Sequence, residues 1–336
     1  MKNWINDNEN NIVLSSTIKL SRNLKNVLFP NKLSPEAARE ESKNIYEIIS
    51  RNLDNEELKL YEIWNKDSEE YHQYIQRNLD IKEIVKNSDK ASCAINTDET
   101  LRIILNKDNH IEMQCISSGL SLEEILTSSM DLDNKIEENF AYAYDEELGY
   151  LTSSLDNIGT GMNACVIMHL PALNMSDEIN NISKKISNLG IKIASIYKDG
   201  NKAFGNMYEI TNKTTIGLSE EEIVQNLKEA VLEILNKEKD LRIVMLNKCK
   251  DEIEDKAFRA EAILNAAKIL EFKETIELLS DVRLGCELSL INLEKSKLNQ
   301  VQVMVSDCYL EDSFGAKLTP KELKHRRAEV VQNILT

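Results

Sequence analysis

The feature that most constrains this chain is a change of hydrophobic period along its length. Residues 101–116 read LRIIL, a polar Asn-Lys-Asp-Asn turn and HIEMQCI, with Ile111, Met113 and Cys115 on one side and His110, Glu112 and Gln114 on the other. That period of two predicts a β-hairpin. From residue 219 onward the apolar positions recur at helical spacing instead, opening on the capping-box sequence Ser219-Glu-Glu-Glu222 and continuing through 257–270 and 274–290. Apolar strands are expected at 164–170, which stops at Pro171, and near 191–197 and 206–211, with a helix over 177–189. Strands and helices mix without strict alternation, which predicts an antiparallel-rich α+β fold rather than a doubly wound one. Residues 31 to about 90 read as a helical N-terminal portion, with Ser34 placed to cap a helix starting at Pro35. The expected organisation is a domain over 1–240 and an all-helical domain over 241–336.

Charge excludes one class of partner. Lys and Arg number 41 against 57 Asp and Glu, a formal net charge of −16, and such a field repels a nucleic-acid backbone. The one basic cluster, Lys321, Lys324, His325, Arg326 and Arg327, reads as a solvated helix face. No apolar run approaches the ~20 residues needed to span a bilayer and the start is polar, so neither export nor membrane insertion is expected. Six cysteines without CxxC pairs read mostly as buried free thiols of a reducing cytoplasm. His72, His110, His169 and His325 lack the i, i+4 spacing of a metal site, and no metal is expected. Residues 200–205, GNKAFG, have two glycines but not the Lys-Ser/Thr of a P-loop, and read as a flexible connection.

Five stretches carry a resemblance. VLSSTIKLSRN (13–23), YDEELGYLTS (144–153), NIGTG (157–161) with HLPAL (169–173), GNMYEITN (205–212) and ELLSDVRLG (277–285) resemble, in order, VLSSRIRLARN, FDEKLGYLTS, NVGTG with HLPAL, GNLFQISN and a stretch of the helical domain in the bacterial protein-arginine kinase branch of the ATP:guanidino phosphotransferases. The resemblance implies a guanidino-kinase fold, an antiparallel sheet flanked by helices, followed by a helical domain that mediates dimerisation in relatives.

It also implies a chemistry, and the residues depart from it. Phosphoryl transfer to a guanidinium needs ATP phosphates neutralised and held in line, and the family uses arginines, whose planar fork binds phosphate bidentately. At the five corresponding positions this chain has Thr17, Lys19, Glu112, Asn163 and Ala194. The carboxylate pair of the family's NEEDH motif becomes Lys107 and Asp108, and the loop glutamate becomes Lys202. Ser154 stands for the substrate-side cysteine and Asn78 for a nucleotide-side histidine. The phosphoarginine-binding RDxxRA motif reads LKHRRA, so Leu323 and Lys324 depart while Arg327 remains. At roughly 1.5–3 kcal/mol per charge-assisted contact, five losses reach roughly 8–15 kcal/mol if additive.

These readings predict a divergent pseudokinase that acts through protein contacts, as a homodimer or paired with an active kinase paralogue through its C-terminal helical domain, with no cofactor. The alternative is an active ATP-dependent protein-arginine kinase with a rearranged site, using Mg-ATP, with Asp108 as base and Lys19, Lys198 or Lys202 replacing guanidinium groups.

Overall fold

The computed structural model describes residues 12–53, 57–65, 68 and 89–336. Its frame is one eight-stranded sheet, antiparallel throughout. In chain order the strands are β1 (Val13–Arg22), β2 (Leu58–Glu62), β3 (Ser92–Asn96), β4 (Leu101–Leu105), β5 (Ile111–Ser118), the short β6 (Tyr144–Asp145) and β7 (Gly149–Tyr150), β8 (Met162–His169), β9 (Ile191–Ser195), the short β10 (Lys198–Asp199) and β11 (Lys202–Ala203), and β12 (Met207–Asn212). The sheet runs β2-β3-β4-β5-β1-β8-β12-β9, while β6-β7 and β10-β11 are separate two-stranded ribbons.

The alternation foreseen for residues 101–116 is present, and it decides which face is covered. Ile18, Leu20, Ile103, Met113, Ala164, Val166 and Ile210 are buried in one apolar core, against α2 (Leu122–Glu137) and α5 (Glu220–Lys248). The α5 start is the expected capping box, with Ser219 accepting from the Glu222 amide and Glu222 reaching back. Between β8 and β9 lie α3 (Pro171–Met175) and α4 (Ile179–Ser187).

The N-terminal portion differs from expectation. Ser34 does cap α1 (Pro35–Asn52), accepting from the Ala37 amide at 3.2 Å. The chain then forms an edge strand, β2, instead of continuing as helix: Leu58 and Tyr61 are buried, and pairing with β3 overrides a short segment's helical period. Both His72 and Asn78 lie outside the described residues.

After α5 the chain turns at Cys249 into α6 (Lys250–Ala266), α7 (Phe272–Glu287), α8 (Lys295–Met304), α9 (Asp307–Ser313) and α10 (Pro320–Leu335). These helices share a second apolar core, including Leu264, Leu279, Val282, Leu298, Val301 and Val331. Of the six free cysteines only Cys93 and Cys286 are buried; Cys115 and Cys165 are half-buried, Cys249 and Cys308 exposed. The expectation of mostly buried thiols therefore fails, because both exposed cysteines sit at helix starts rather than on apolar faces. Among the described residues no helix is long and apolar enough to cross a membrane and no cluster could hold a metal ion.

Candidate active-site cleft

The face of the sheet opposite α2 and α5 gathers the five positions where the family resemblance expects arginine. Strand register places them there. Lys19 lies across from Gln114 on one side and Asn163 on the other, and Thr17 across from Ile116 and Cys165. Side chains two apart on a strand share a face, which adds Glu112. Glu209 carries the row from Ile167 to Ala194.

The electrostatics of this face are largely satisfied from within. Lys19 Nζ lies 2.6 Å from Glu112 Oε2, and the carboxylate is buried while the lysine is about a quarter exposed. Asn109 Nδ2 donates to the other Glu112 oxygen at 3.3 Å, and Asn23 Nδ2 donates to Asn109 Oδ1 at 2.8 Å. Glu112 is therefore neither solvent-exposed nor aimed at open space: it neutralises the remaining cation of the five positions. One further cation continues the Lys19 row. Arg102, half-buried on β4, lies across from Gln114, a residue that motif comparison passes over because it falls outside the motifs.

Three of the positions to which the resemblance gives a catalytic role, Lys107, Asp108 and Ser154, lie in or beside the turn between β4 and β5. Lys107 is buried and Asp108 exposed, with 3.9 Å between their charged atoms. Ser153 Oγ donates to the Asp108 carbonyl at 2.6 Å, and the Ser153 amide donates to Asn109 Oδ1 at 2.9 Å. Neighbouring Ser154 is exposed and accepts from the Asp156 amide at 3.4 Å. Lys202 is elsewhere: it is exposed on the β10-β11 hairpin, as is Lys198. That hairpin is the stretch read as a flexible connection; the residues that flank it, Tyr197 and Phe204, pack on the helical domain.

Arg22, the arginine retained in the first motif, is architectural. Fully buried, it donates from Nε to both Asp133 oxygens at 3.0 and 3.2 Å and from Nη1 to the Thr160 carbonyl at 2.9 Å. Its guanidinium carbon stands 3.6 Å from the centre of the Tyr150 ring, within cation–π range. The glycines of NIGTG serve the same junction: at Gly159, with φ of 110°, an added Cβ would lie 2.2 Å from the Thr215 carbonyl oxygen.

His110 is structural too. Its Nε2 lies 3.0 Å from the Leu28 carbonyl, and its Nδ1 lies 2.9 Å from Asn23 Oδ1 and 3.2 Å from the Leu24 amide; with the proton on Nε2 the neutral ring donates to Leu28 and accepts from Leu24. Burial lowers its pKa from 6.5 to about 4, against the opposing effect of the Leu28 hydrogen bond. A depressed histidine is neutral in the folded chain while the unfolded chain takes up a proton, so its contribution to stability falls as pH drops from 6.5 to about 4. Urea-unfolding midpoints measured across this window should fall more steeply for the wild type than for His110→Gln; parallel slopes would refute the assignment.

In the helical domain Arg327 is buried rather than part of a solvated basic face. It donates from Nε to the Val305 carbonyl at 2.8 Å and from Nη1 to the Leu270 carbonyl at 2.9 Å, and pairs with Asp307. Lys324 pairs with Glu271, and Leu323 is half-buried. Arg327 points inward because i+3 and i+4 spacing puts it beside Ala328 and Val331 on the packed side of α10.

This sheet, cleft and helical domain have relatives. Residues 40–241 match the family described as ATP:guanido phosphotransferase, C-terminal catalytic domain, and residues 250–336 match the Protein-arginine kinase McsB C-terminal domain. The protein-arginine kinase of Clostridium botulinum is 48% identical over all of this chain and 99% of its own length. The chain belongs to the protein-arginine kinase family. A second family member, from Clostridium tetani, is 41% identical over the same shares of the two chains. Among solved structures, the duplicated taurocyamine kinase of Schistosoma mansoni with bound transition-state analogue components aligns with a TM-score of 0.59 at 22% identity, over 70% of this chain but 33% of that one. Lombricine kinase aligns at 0.56 and 18% identity, over 70% and 69%. Both establish the guanidino-kinase fold. The relatives are named as kinases, so family likeness on its own favours phosphoryl transfer, and none of these likenesses speaks for an inactive protein. Mg-ATP is the cofactor such a kinase activity would require; the cleft fits it poorly, because Glu112 presents a carboxylate to Lys19 where phosphate oxygens would need both the cation and its neighbours.

Proposed function

We propose that this member of the protein-arginine kinase family does not transfer phosphate from ATP, and that its retained fold serves protein contacts, with the helical domain as the dimerisation or partner-binding part. One observation carries the reading: the lysine left among the five phosphate-binding positions is consumed by a buried carboxylate 2.6 Å away. To bind ATP the cleft would have to break that pair and place phosphates beside Glu112, and like charge in a partly desolvated site opposes this strongly.

A second reading, a working protein-arginine kinase with a rearranged nucleotide site, has two supports. Relatives that are named protein-arginine kinases match over the full chain, and on those comparisons alone this reading is the better supported. Arg102 also brings a guanidinium to the cleft face at a new position.

A thermal-unfolding titration with Mg-ATP up to millimolar, paired with mass-spectrometric detection of phosphoarginine on a protein substrate, separates the two. A ligand that binds only the folded state raises stability by RT ln(1 + [L]/Kd). The expected result is no shift and no phosphoarginine, beside an active relative that gives both. A saturable shift with phosphoarginine formation would establish the second reading.

A further inference from the structure

The hairpin between β9 and β12 has little to hold it in place by itself. Residues 198–203 are all exposed, and the ribbon consists of two paired positions, Lys198 with Ala203 and Asp199 with Lys202. An isolated ribbon of that size is not stable in water. Its anchors lie in the helical domain.

Tyr197 and Phe204, which flank the ribbon, stack with ring centroids 5.6 Å apart, and both meet the ring of Phe272, the first residue of α7, at 5.9 and 6.5 Å in edge-on geometry. Such aromatic contacts fix orientation as well as burying area. Gln302 Nε2 donates to the Tyr197 hydroxyl at 3.2 Å, and Lys273 lies 3.0 Å from Asp199 and 5.7 Å from the centre of the Phe204 ring. Gly205, with φ of 73°, backs onto α7 so closely that an added Cβ would sit 2.3 Å from Ile276 Cγ2. Phe204 thus belongs to the apolar core of the helical domain although it leads directly into the sheet.

Phe272 is held in turn by the last helix. Arg327 bonds the Leu270 carbonyl two residues earlier, and its guanidinium carbon lies 5.9 Å from the Phe272 ring centre. The Leu270 amide donates to the Lys324 carbonyl at 3.1 Å, and Lys324 pairs with Glu271. The segment 270–272 is therefore clasped between α10 on one side and the hairpin base on the other.

We propose that Arg327 and Phe272 are positioning residues for the 198–203 hairpin, so that the placement of α10 in the helical domain sets the placement of a loop at the end of β9, on the catalytic fold. Arg327 acts as a structural tie in this chain, and the coupling holds for either reading of the cleft.

Hydrogen exchange by mass spectrometry on the full chain tests it. The reporters are the Phe204 amide, which donates to Tyr197 at 3.1 Å, and the Ile196 amide, which donates to Met207 at 2.9 Å. Protection in such local units reports their opening. Phe272→Leu, which keeps an apolar side chain but removes the ring, should raise exchange over 196–205 about tenfold while 162–169 stays at the wild-type rate. Arg327→Lys should accelerate 270–275 and 196–205 together. Should 270–275 accelerate while 196–205 does not, or Phe272→Leu leave 196–205 unchanged, the coupling is wrong. If Arg327→Lys instead unfolds the helical domain, seen as lost protection over 279–286, the exposed Lys273→Ala decides with Phe272→Leu: both should raise exchange over 196–205, and failure of either one to do so overturns the proposal.

Discussion

Replacing Arg242 by Met is expected to destabilise the protein by about 3–5 kcal/mol and to split its unfolding into two transitions. Arg242 sits on α5, where the sheet domain meets the helical one, and each of its three guanidinium nitrogens is engaged. Its Nε lies 2.7 Å from Glu238 Oε1, Nη1 pairs with Glu287 on α7, and Nη2 donates to the His169 carbonyl at 3.2 Å on β8. Glu238 is itself fully buried and accepts the Ala172 and Leu173 amides at 3.1 and 2.9 Å, two of the orphan donors at the start of α3. On the other side, His169 Nε2 shares a hydrogen bond with Ser280 Oγ at 2.8 Å, and Ser280 also accepts from Asn206 at 2.7 Å. Without the guanidinium, two carboxylates remain in a dry junction, with Arg283 the other cation acting on Glu287. The large cost comes from that uncompensated charge rather than from the net worth of the pair. Arg242→Lys should recover only part of the loss, since an ammonium cannot span three acceptors on three elements. Urea unfolding followed by both helical and near-ultraviolet signals checks this; a loss under about 1 kcal/mol in a single transition would show that the junction is not held by this residue.

The same junction fixes a sign for acid. Burial lowers the His169 pKa despite the neighbouring Glu287, and although burial opposes it, contacts with His169, Arg242 and Arg283 bring the Glu287 pKa below its ordinary value. A lowered carboxyl contributes stability above its unfolded pKa and loses it as pH falls, and a lowered histidine loses stability in the same direction. Both therefore weaken the domain junction on acidification, and neither opposes the other.

How much of this was legible beforehand depends on what kind of signal each element leaves. The hairpin face of Ile111 and Met113 and the capping box at Ser219 follow from local period and local hydrogen bonding, which the sequence states directly. The strand at Leu58–Glu62 does not, because a five-residue edge strand is defined by its partner Ser92–Asn96, thirty residues away. The motifs single out Lys19 and Glu112 but not their pairing, which follows from the register placing Lys19 beside Gln114 and Ser21 beside Glu112. His169 and Arg22 matched the family's motifs as letters, yet their roles, a domain junction and a buried tie to Asp133, required partners more than one hundred residues away in the chain. Arg327 reads as part of a solvated basic face and is buried instead, because charge alone does not reveal which side of α10 is packed.

The pair in the cleft gives an asymmetric prediction that bears on function. Lys19→Met should destabilise the chain by about 2–4 kcal/mol, toward the lower end of what breaking a buried pair costs because the lysine is partly exposed, while Glu112→Gln should cost about 1 kcal/mol or less. The difference follows from burial: Glu112 has 2% of its side-chain surface exposed against 27% for Lys19. Removing the lysine strands a carboxylate left with the 3.3 Å bond from Asn109 among the described residues. Neutralising the glutamate instead leaves an ammonium that can turn toward water, and a glutamine can keep the Asn109 contact. Glu112→Gln also reverses the electrostatic logic of the cleft, since Lys19 then joins Arg102 on a face with one carboxylate fewer. If the pair is what excludes nucleotide, this variant should gain a saturable thermal shift with Mg-ATP that the wild type lacks, weakened by added salt as a charge-based contact must be. A flat titration for Glu112→Gln would place the block in the missing arginines at 17, 163 and 194 rather than in the carboxylate, whereas equal destabilisation by both substitutions would contradict the burial argument on which the asymmetry rests.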